Sequence, residues 1–347
     1  MEPVTHFLTG AVLARTGFNR KTALATVTMT LAAEAADLDV IAYLGGSAEG
    51  FIQHRGITHT FVAVPVVAAV TVAVVWALDK LWQRLRADKK HRPTAIPLHW
   101  GWLYLGACVA ALSHLLLDFT NNYGVRPLYP FRGTWYAWDI VFIVEPLILL
   151  ALFAALTLPW LFGLIGSEIG ARRKGPAGRG AAITALAFML VLWGVRDFEH
   201  RRALAIMDTR LYNGETATRL AAFPQMVNPF RWQGVAETSS AYISLPVDSL
   251  RPEVDPQGRA VTYFKPESNP AIISARESKL GRAYVAWARF PLVESEHITD
   301  PVPQDVVHFQ DVRFIDPIGK RKVLDAYVLL DANHRVLEQG FRPPERH

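Results

Sequence analysis

The chain divides by its pattern of apolar positions. Four runs, at residues 60–78, 101–117, 140–166 and 181–196, are nearly free of charge, and each approaches the about 20 residues that a helix needs to cross a bilayer. Two weaker runs precede them: residues 3–17, interrupted by His6, and residues 22–44, interrupted by Glu34, Asp37 and Asp39. A buried core helix would explain any one run. Six in succession with basic connectors predict an all-α, multi-pass membrane bundle of about five to six helices. After residue 197 the pattern changes. Short alternating stretches at Ala241–Leu245, Arg259–Phe264, Arg282–Phe290, Val306–Ile315 and Val323–Leu330 are separated by Pro, Gly, Asp and Asn, which predicts strands and turns. Residues 197–235 read as helix and then loop. The expected organisation is a membrane-embedded domain at 1–197 and a β-rich domain at 198–347.

Composition narrows the class. Of 347 residues, 51% are hydrophobic and 19% charged, with mean hydropathy +0.17, which excludes disordered and collagen-like chains. Cys108 is the sole cysteine, so an internal disulfide or a cysteine-based zinc site is excluded. The net charge of +5 suggests nucleic acid until the charges are located. Residues 198–347 hold 19 basic and 19 acidic side chains, whereas residues 1–197 hold 17 and 12, so the whole excess lies among the apolar runs. No nucleic-acid partner is expected; the expected partner is the bilayer.

Position of the basic residues then predicts topology. Thirteen fall in alternate connectors: Arg15, Arg20 and Lys21; Lys80, Arg84, Arg86, Lys89, Lys90 and Arg92; Arg172, Arg173, Lys174 and Arg179. The other connectors carry Arg55, Arg126, Arg132 and Arg196. By the positive-inside rule the thirteen face the cytoplasm, and residues 198–347 are extracytoplasmic if all six runs cross. No basic region precedes the first apolar stretch, so no cleavable signal peptide is expected.

Ionisable residues within apolar runs are costly and mark function. Here they are His6, Glu34, Asp37, Asp39, His54, His59, His114, Asp118, Asp139 and Glu145. A topology deduced from Lys and Arg alone places most of them at the outer membrane level. His114 and Asp118 lie four apart, on one helix face, suited equally to a shared metal or to a hydrogen bond packing two helices. His54 and His59 flank a turn at Gly56 that can aim both rings at one point; the plain alternative is a loop ending in a helix cap at Thr58. Arg55, between them, can neutralise a phosphoryl or carboxylate oxygen. Asp37 and Asp39 cannot share a helix face at a spacing of two. Either the helix unwinds there, or one carboxylate ligates and the other supports it. Two carboxylates with several imidazoles suit zinc first, or manganese, as one to two or more ions. His91, His99, His200, His297, His308, His334 and His347 are scattered and read as ordinary residues.

The motifs T-H-F-L-T-G at 5–10, D-L-D at 37–39, H-R-G-I-T-H-T at 54–60, H-L-L-L-D-F-T-N-N-Y-G-V-R-P-L-Y-P-F at 114–131 and W-D-I-V-F-I-V-E-P at 138–146 resemble the LexA-regulated inner-membrane, metal-dependent hydrolases of bacteria. The resemblance covers residues 1–165 and, more distantly, extends to the zinc-dependent phospholipase C and nuclease superfamily, where clustered His and Asp hold metals that activate water against a phosphodiester. It implies metal ligands at His54, His59, His114 and Asp118, completed by His6, Asp37 and Asp39. Where the family carries Asp before proline, this chain has Glu145, a longer carboxylate that is a further ligand candidate. The expected activity is hydrolysis of a phosphoester such as a lipid headgroup at the extracytoplasmic face, with Asp37 or Asp39 accepting a proton and Arg55 neutralising charge. The rivals are a divalent-metal transporter or sensor, and a non-catalytic membrane scaffold for the tail.

Overall fold

The computed structural model describes residues 1–85, 96–168, 178–299, 302–315 and 323–341. Of the expected connector residues, Arg86, Lys89, Lys90, Arg92, Arg172, Arg173 and Lys174 lie outside the described residues, as do His91 and His347. The chain forms two units: Met1–Leu38 with Arg55–Val195, and Asp39–His54 with Arg196–His347.

The first unit opens with α1 (Pro3–Leu13), started by Pro3 at its first position and by the Glu2 carboxylate, which accepts from Thr5 N. Helical backbone continues through a π-turn at Ala14–Phe18, kinked at Gly17, into α2 (Asn19–Lys21). Next comes α3 (Ala25–Glu34), which passes into a 3-10 helix over Ala35–Gly45. After α4 (Ser47–Gln53), which belongs to the second unit, four helices among the described residues are long and apolar enough to cross a membrane: α5 (Ala63–Leu85), α6 (Trp100–Thr120), α7 (Pro146–Glu168, through Gly163) and α8 (Arg179–Asp208), whose residues from Arg196 onward belong to the second unit. Alone, α1 and α3 have 11 and 10 residues, about half of a span.

Small residues let α1, α3 and α6 close on one another. A Cβ on Gly10 would lie 2.5 Å from Met29 O and 2.9 Å from Ala33 Cβ; one on Gly106 would meet Met29 Sδ at 3.0 Å. The α1–α3 hairpin accompanies α6 along its length. Its turn is tied to the start of α6 by Ala23 N donating to Pro97 O (3.1 Å) and His99 N donating to Thr22 Oγ1 (2.9 Å). At the far end His6 stacks on His114, ring centroids 3.8 Å apart. That is the level at which the site forms.

In the second unit two antiparallel sheets account for most of the strands. One sheet contains β3 (Arg219–Pro224), β4 (Arg231–Glu237), β5 (Ala241–Asp248), β6 (Glu253–Val254) and β7 (Val261–Phe264); β1 (Leu211–Tyr212) and β2 (Glu215–Thr216) form a separate pair. The other runs β11-β10-β9-β8, with β8 at Pro291–Ile298, β9 at Gln304–Asp311, β10 at Ala326–Asp331 and β11 at Val336–Phe341. Two short helices, α9 (Pro270–Glu277) and α10 (Lys279–Trp287), join the sheets in sequence. The β-rich tail is thus present, with two corrections. Arg282–Phe290, expected as a strand, is mostly α10: Ser278 caps it by accepting from Gly281 N (3.0 Å), and Leu280, Tyr284 and Trp287 bury one helical face. The later part of residues 197–235, expected as loop, holds β1, β2, β3 and most of β4. The two-residue lengths of β1 and β2, Pro224 in β3 and Gly234 in β4 hide the alternation.

Candidate metal centre

Three local structures bring four side chains together. The last two turns of α6 project His114 and Asp118 from one face, as their spacing requires. The end of α3 unwinds into the 3-10 helix, so the D-L-D stretch leaves α-geometry and Asp37 turns toward α6. Arg55, at φ +51°, and Gly56 form the turn before the short 3-10 helix Ile57–His59, which aims His59 at the same point. One ligand-type atom from each of Asp37, His59, His114 and Asp118 lies within 4.8 Å of all the others. His59 Nε2 is 3.0 Å from His114 Nε2 and 3.3 Å from Asp37 Oδ1; both imidazole nitrogens are 3.5 Å from Asp118 Oδ2. Among the described residues this is the one such group. His59, His114 and Asp118 are buried, while Asp37 reaches the surface with its side chain 22% exposed.

The donor set fits a divalent cation. His114 Nδ1 lies 2.7 Å from Ala33 O, and since a carbonyl only accepts, the proton sits on Nδ1 and the Nε2 lone pair faces the cluster. Histidine ligands are commonly oriented by such an outer hydrogen bond. His59 Nδ1 has Thr58 Oγ1 at 3.1 Å, a contact that orients the ring, although a hydroxyl can donate or accept and so does not fix the proton. Asp118 supplies the sharper observation. Its Oδ1 accepts from Arg55 Nη2 at 2.7 Å, whereas its fully buried Oδ2 has no hydrogen-bond partner and faces the two imidazole nitrogens. A buried carboxylate oxygen without a partner is expensive. A cation bound among these four groups removes that cost.

The other expected site residues take different places. Arg55 is buried, with Nη1 donating to Gly124 O (2.7 Å), Nη2 donating to Asp118, and the guanidinium 4.7 Å from the Tyr123 ring centroid. Its geometry serves the carboxylate of Asp118. His6 packs behind His114, with Nε2 3.4 Å from Asp118 Oδ1. The α-amino group of Met1 also touches Asp118 Oδ1. Asp39 and His54, expected as ligands, pair with each other in the second unit at 3.2 Å. Glu145 precedes Pro146 at the start of α7, where its carbonyl accepts from Leu149 N and Oε1 accepts from Leu147 N at 3.4 Å, a helix-capping arrangement. Asp139 is buried in left-handed backbone at φ +59°. Sequence signals exist for the four clustered residues, but none for the Ala33 and Gly124 carbonyls, because any residue type supplies a carbonyl.

Comparison with known proteins places this geometry in context. Residues 1–203 match the family described as YdjM inner membrane protein, which is the LexA-regulated inner-membrane type. A Bacillus subtilis (strain 168) relative named "Uncharacterized protein YfhP" is 27% identical over 171 residues, 47% of either chain. This chain therefore spans about half the length of that curated relative. No solved structure matches the chain.

Proposed function

The chain belongs to the YdjM inner membrane protein family, and from that premise we propose that it is a membrane-bound, metal-dependent hydrolase acting on a phosphoester, with Asp37, His59, His114 and Asp118 as its metal ligands. The observation that carries this reading is the buried Asp118 Oδ2, which has no hydrogen-bond partner and lies 3.5 Å from the Nε2 atoms of both His59 and His114, in a four-residue group of which only Asp37 reaches the surface. A divalent cation held there supplies Lewis acidity toward water and a phosphoryl oxygen. The chain's own residues supply the rest. His114, fixed by Ala33 O, keeps its lone pair inward. Arg55 neutralises Asp118 Oδ1 and holds that carboxylate in place. Asp37 is the exposed member of the four, so substrate approaches from its side and its carboxylate accepts the proton of the attacking water. A site at the end of membrane-capable α6 favours a lipid-borne phosphoester over a freely soluble one. In the proposed topology the runs 3–17 and 22–44 add two passes to the four long helices, and the site and β-rich unit are extracytoplasmic.

The test uses the full chain purified in detergent. Elemental analysis after dialysis is expected to find zinc, or manganese, and incubation with a panel of phospholipids and lipid-linked phosphates to release phosphate or headgroup. His114→Ala should abolish both. A protein without metal refutes the reading; metal-loaded protein that moves ions across vesicles but hydrolyses nothing supports the transporter instead.

A further inference from the structure

Asp39–His54 is the stretch of chain between two members of the proposed centre, Asp37 before it and His59 after it, and it belongs to the second unit. Its attachments there are built. Phe51 is buried, its ring centroid 5.0 Å from Phe341, 5.4 Å from Trp287 and 5.6 Å from Tyr284. Phe341 N donates to Ser47 Oγ at 3.1 Å, and the Lys279 ammonium pairs with the Glu49 carboxylate. Within the stretch, Tyr43 lies so close to Gly50 that a Cβ there would come within 2.4 Å of the ring. The two ends are drawn together by the contact of His54 Nδ1 with Asp39 Oδ1 at 3.2 Å. A loop closed at its base and anchored at its tip has one span, whereas a free loop of this length samples many.

We propose that this stretch is a strap through which the β-rich unit sets the separation of Asp37 and His59, with Phe51 as a positioning residue for the metal centre. This rests on the reading of those residues as ligands. The strap gives the β-rich unit a role in the centre although most of that unit lies beyond residue 203, where the family match ends. It also accounts for Asp39 and His54: they close the strap on itself.

Co2+ titration of the full detergent-solubilised chain, followed by its visible absorption, tests this. Phe51→Ala is expected to weaken Co2+ binding by about 10–100-fold, the range for changes that disorient ligands from outside, and to shift the ligand-field bands. Phe51→Met, which keeps volume, should restore both nearly to wild type. Lys279→Ala loosens an exposed attachment without touching the aromatic core and should weaken binding by about two- to fivefold. Wild-type chain that binds Co2+, with Phe51→Ala and Lys279→Ala matching it in affinity and spectrum, overturns the strap alone. Wild-type chain that binds no Co2+ overturns the metal centre and the strap with it. If Phe51→Ala does not fold, Lys279→Ala decides: a several-fold loss supports the strap, and unchanged binding overturns it.

Discussion

Each unit buries an aspartate completely and gives it an arginine. In the first, Asp118 Oδ1 receives Arg55 Nη2 at 2.7 Å; in the second, Asp311 Oδ2 receives Arg313 Nη2 at 2.8 Å. Beyond that the two sites part. Asp311 is saturated: Arg313 Nε donates to Oδ2 at 3.0 Å, Arg289 N to Oδ2 at 2.6 Å and Arg313 N to Oδ1 at 2.9 Å. Asp118 has an oxygen with no donor, turned toward two histidines. A buried carboxylate whose two oxygens both accept hydrogen bonds is satisfied within the protein and serves the fold. One left with unspent capacity, amid groups of complementary chemistry, is poised for a ligand.

The largest expected effects come from breaking each aspartate in turn. Asp311→Ala strands Arg313 and should cost about 3–5 kcal/mol, read as a large fall in the melting temperature of the β-rich unit, with metal content per folded molecule unchanged. Asp118→Asn should do the reverse, losing metal and activity while leaving that melting transition in place. If both substitutions acted on stability alone, the distinction drawn here would collapse.

Acid should separate the two sites next. Burial by itself would raise the pKa of Asp311, but the charge and hydrogen bonds of Arg313 outweigh it and hold the carboxyl below its usual range. The unfolded chain therefore binds this proton more readily than the folded one. The associated stability is complete above the unfolded value of about 4 and is lost as pH falls through the lower folded value. The melting temperature of the β-rich unit should drop on acidification below about pH 4, and Asp311→Asn should flatten that slope. A smaller effect sharpens the other side: Thr58→Val removes the hydroxyl 3.1 Å from His59 Nδ1 and should weaken metal binding by about tenfold, without moving the melting transition.

Much of this was legible in the residues. The four long runs became helices because span length and apolarity are local properties, and His114 and Asp118 share a face because their spacing is helical. The pairing of Asp39 with His54 was not legible, since it depends on where the chain between them is held, and that is decided by Phe51 meeting Trp287 and Phe341 far along the sequence. Glu145 illustrates a different limit. A carboxylate before proline has the chemistry of a ligand and of a helix cap alike, and only its neighbours distinguish them. The run Arg282–Phe290 misled because alternation over a few residues fits a strand and one face of a helix equally, until Leu280 and the Ser278 cap are counted.

Gly10 carries a consequence at a distance. The missing side chain lets α1 lie directly on Met29 and Ala33 of α3, and Ala33 is the residue whose carbonyl fixes the proton on His114. The thickness of a single methyl group at position 10 is thus coupled to which nitrogen of a histidine is basic. The hairpin works as a gauge block: the closeness with which α1 seats on α3 sets where the Ala33 carbonyl meets the imidazole of His114.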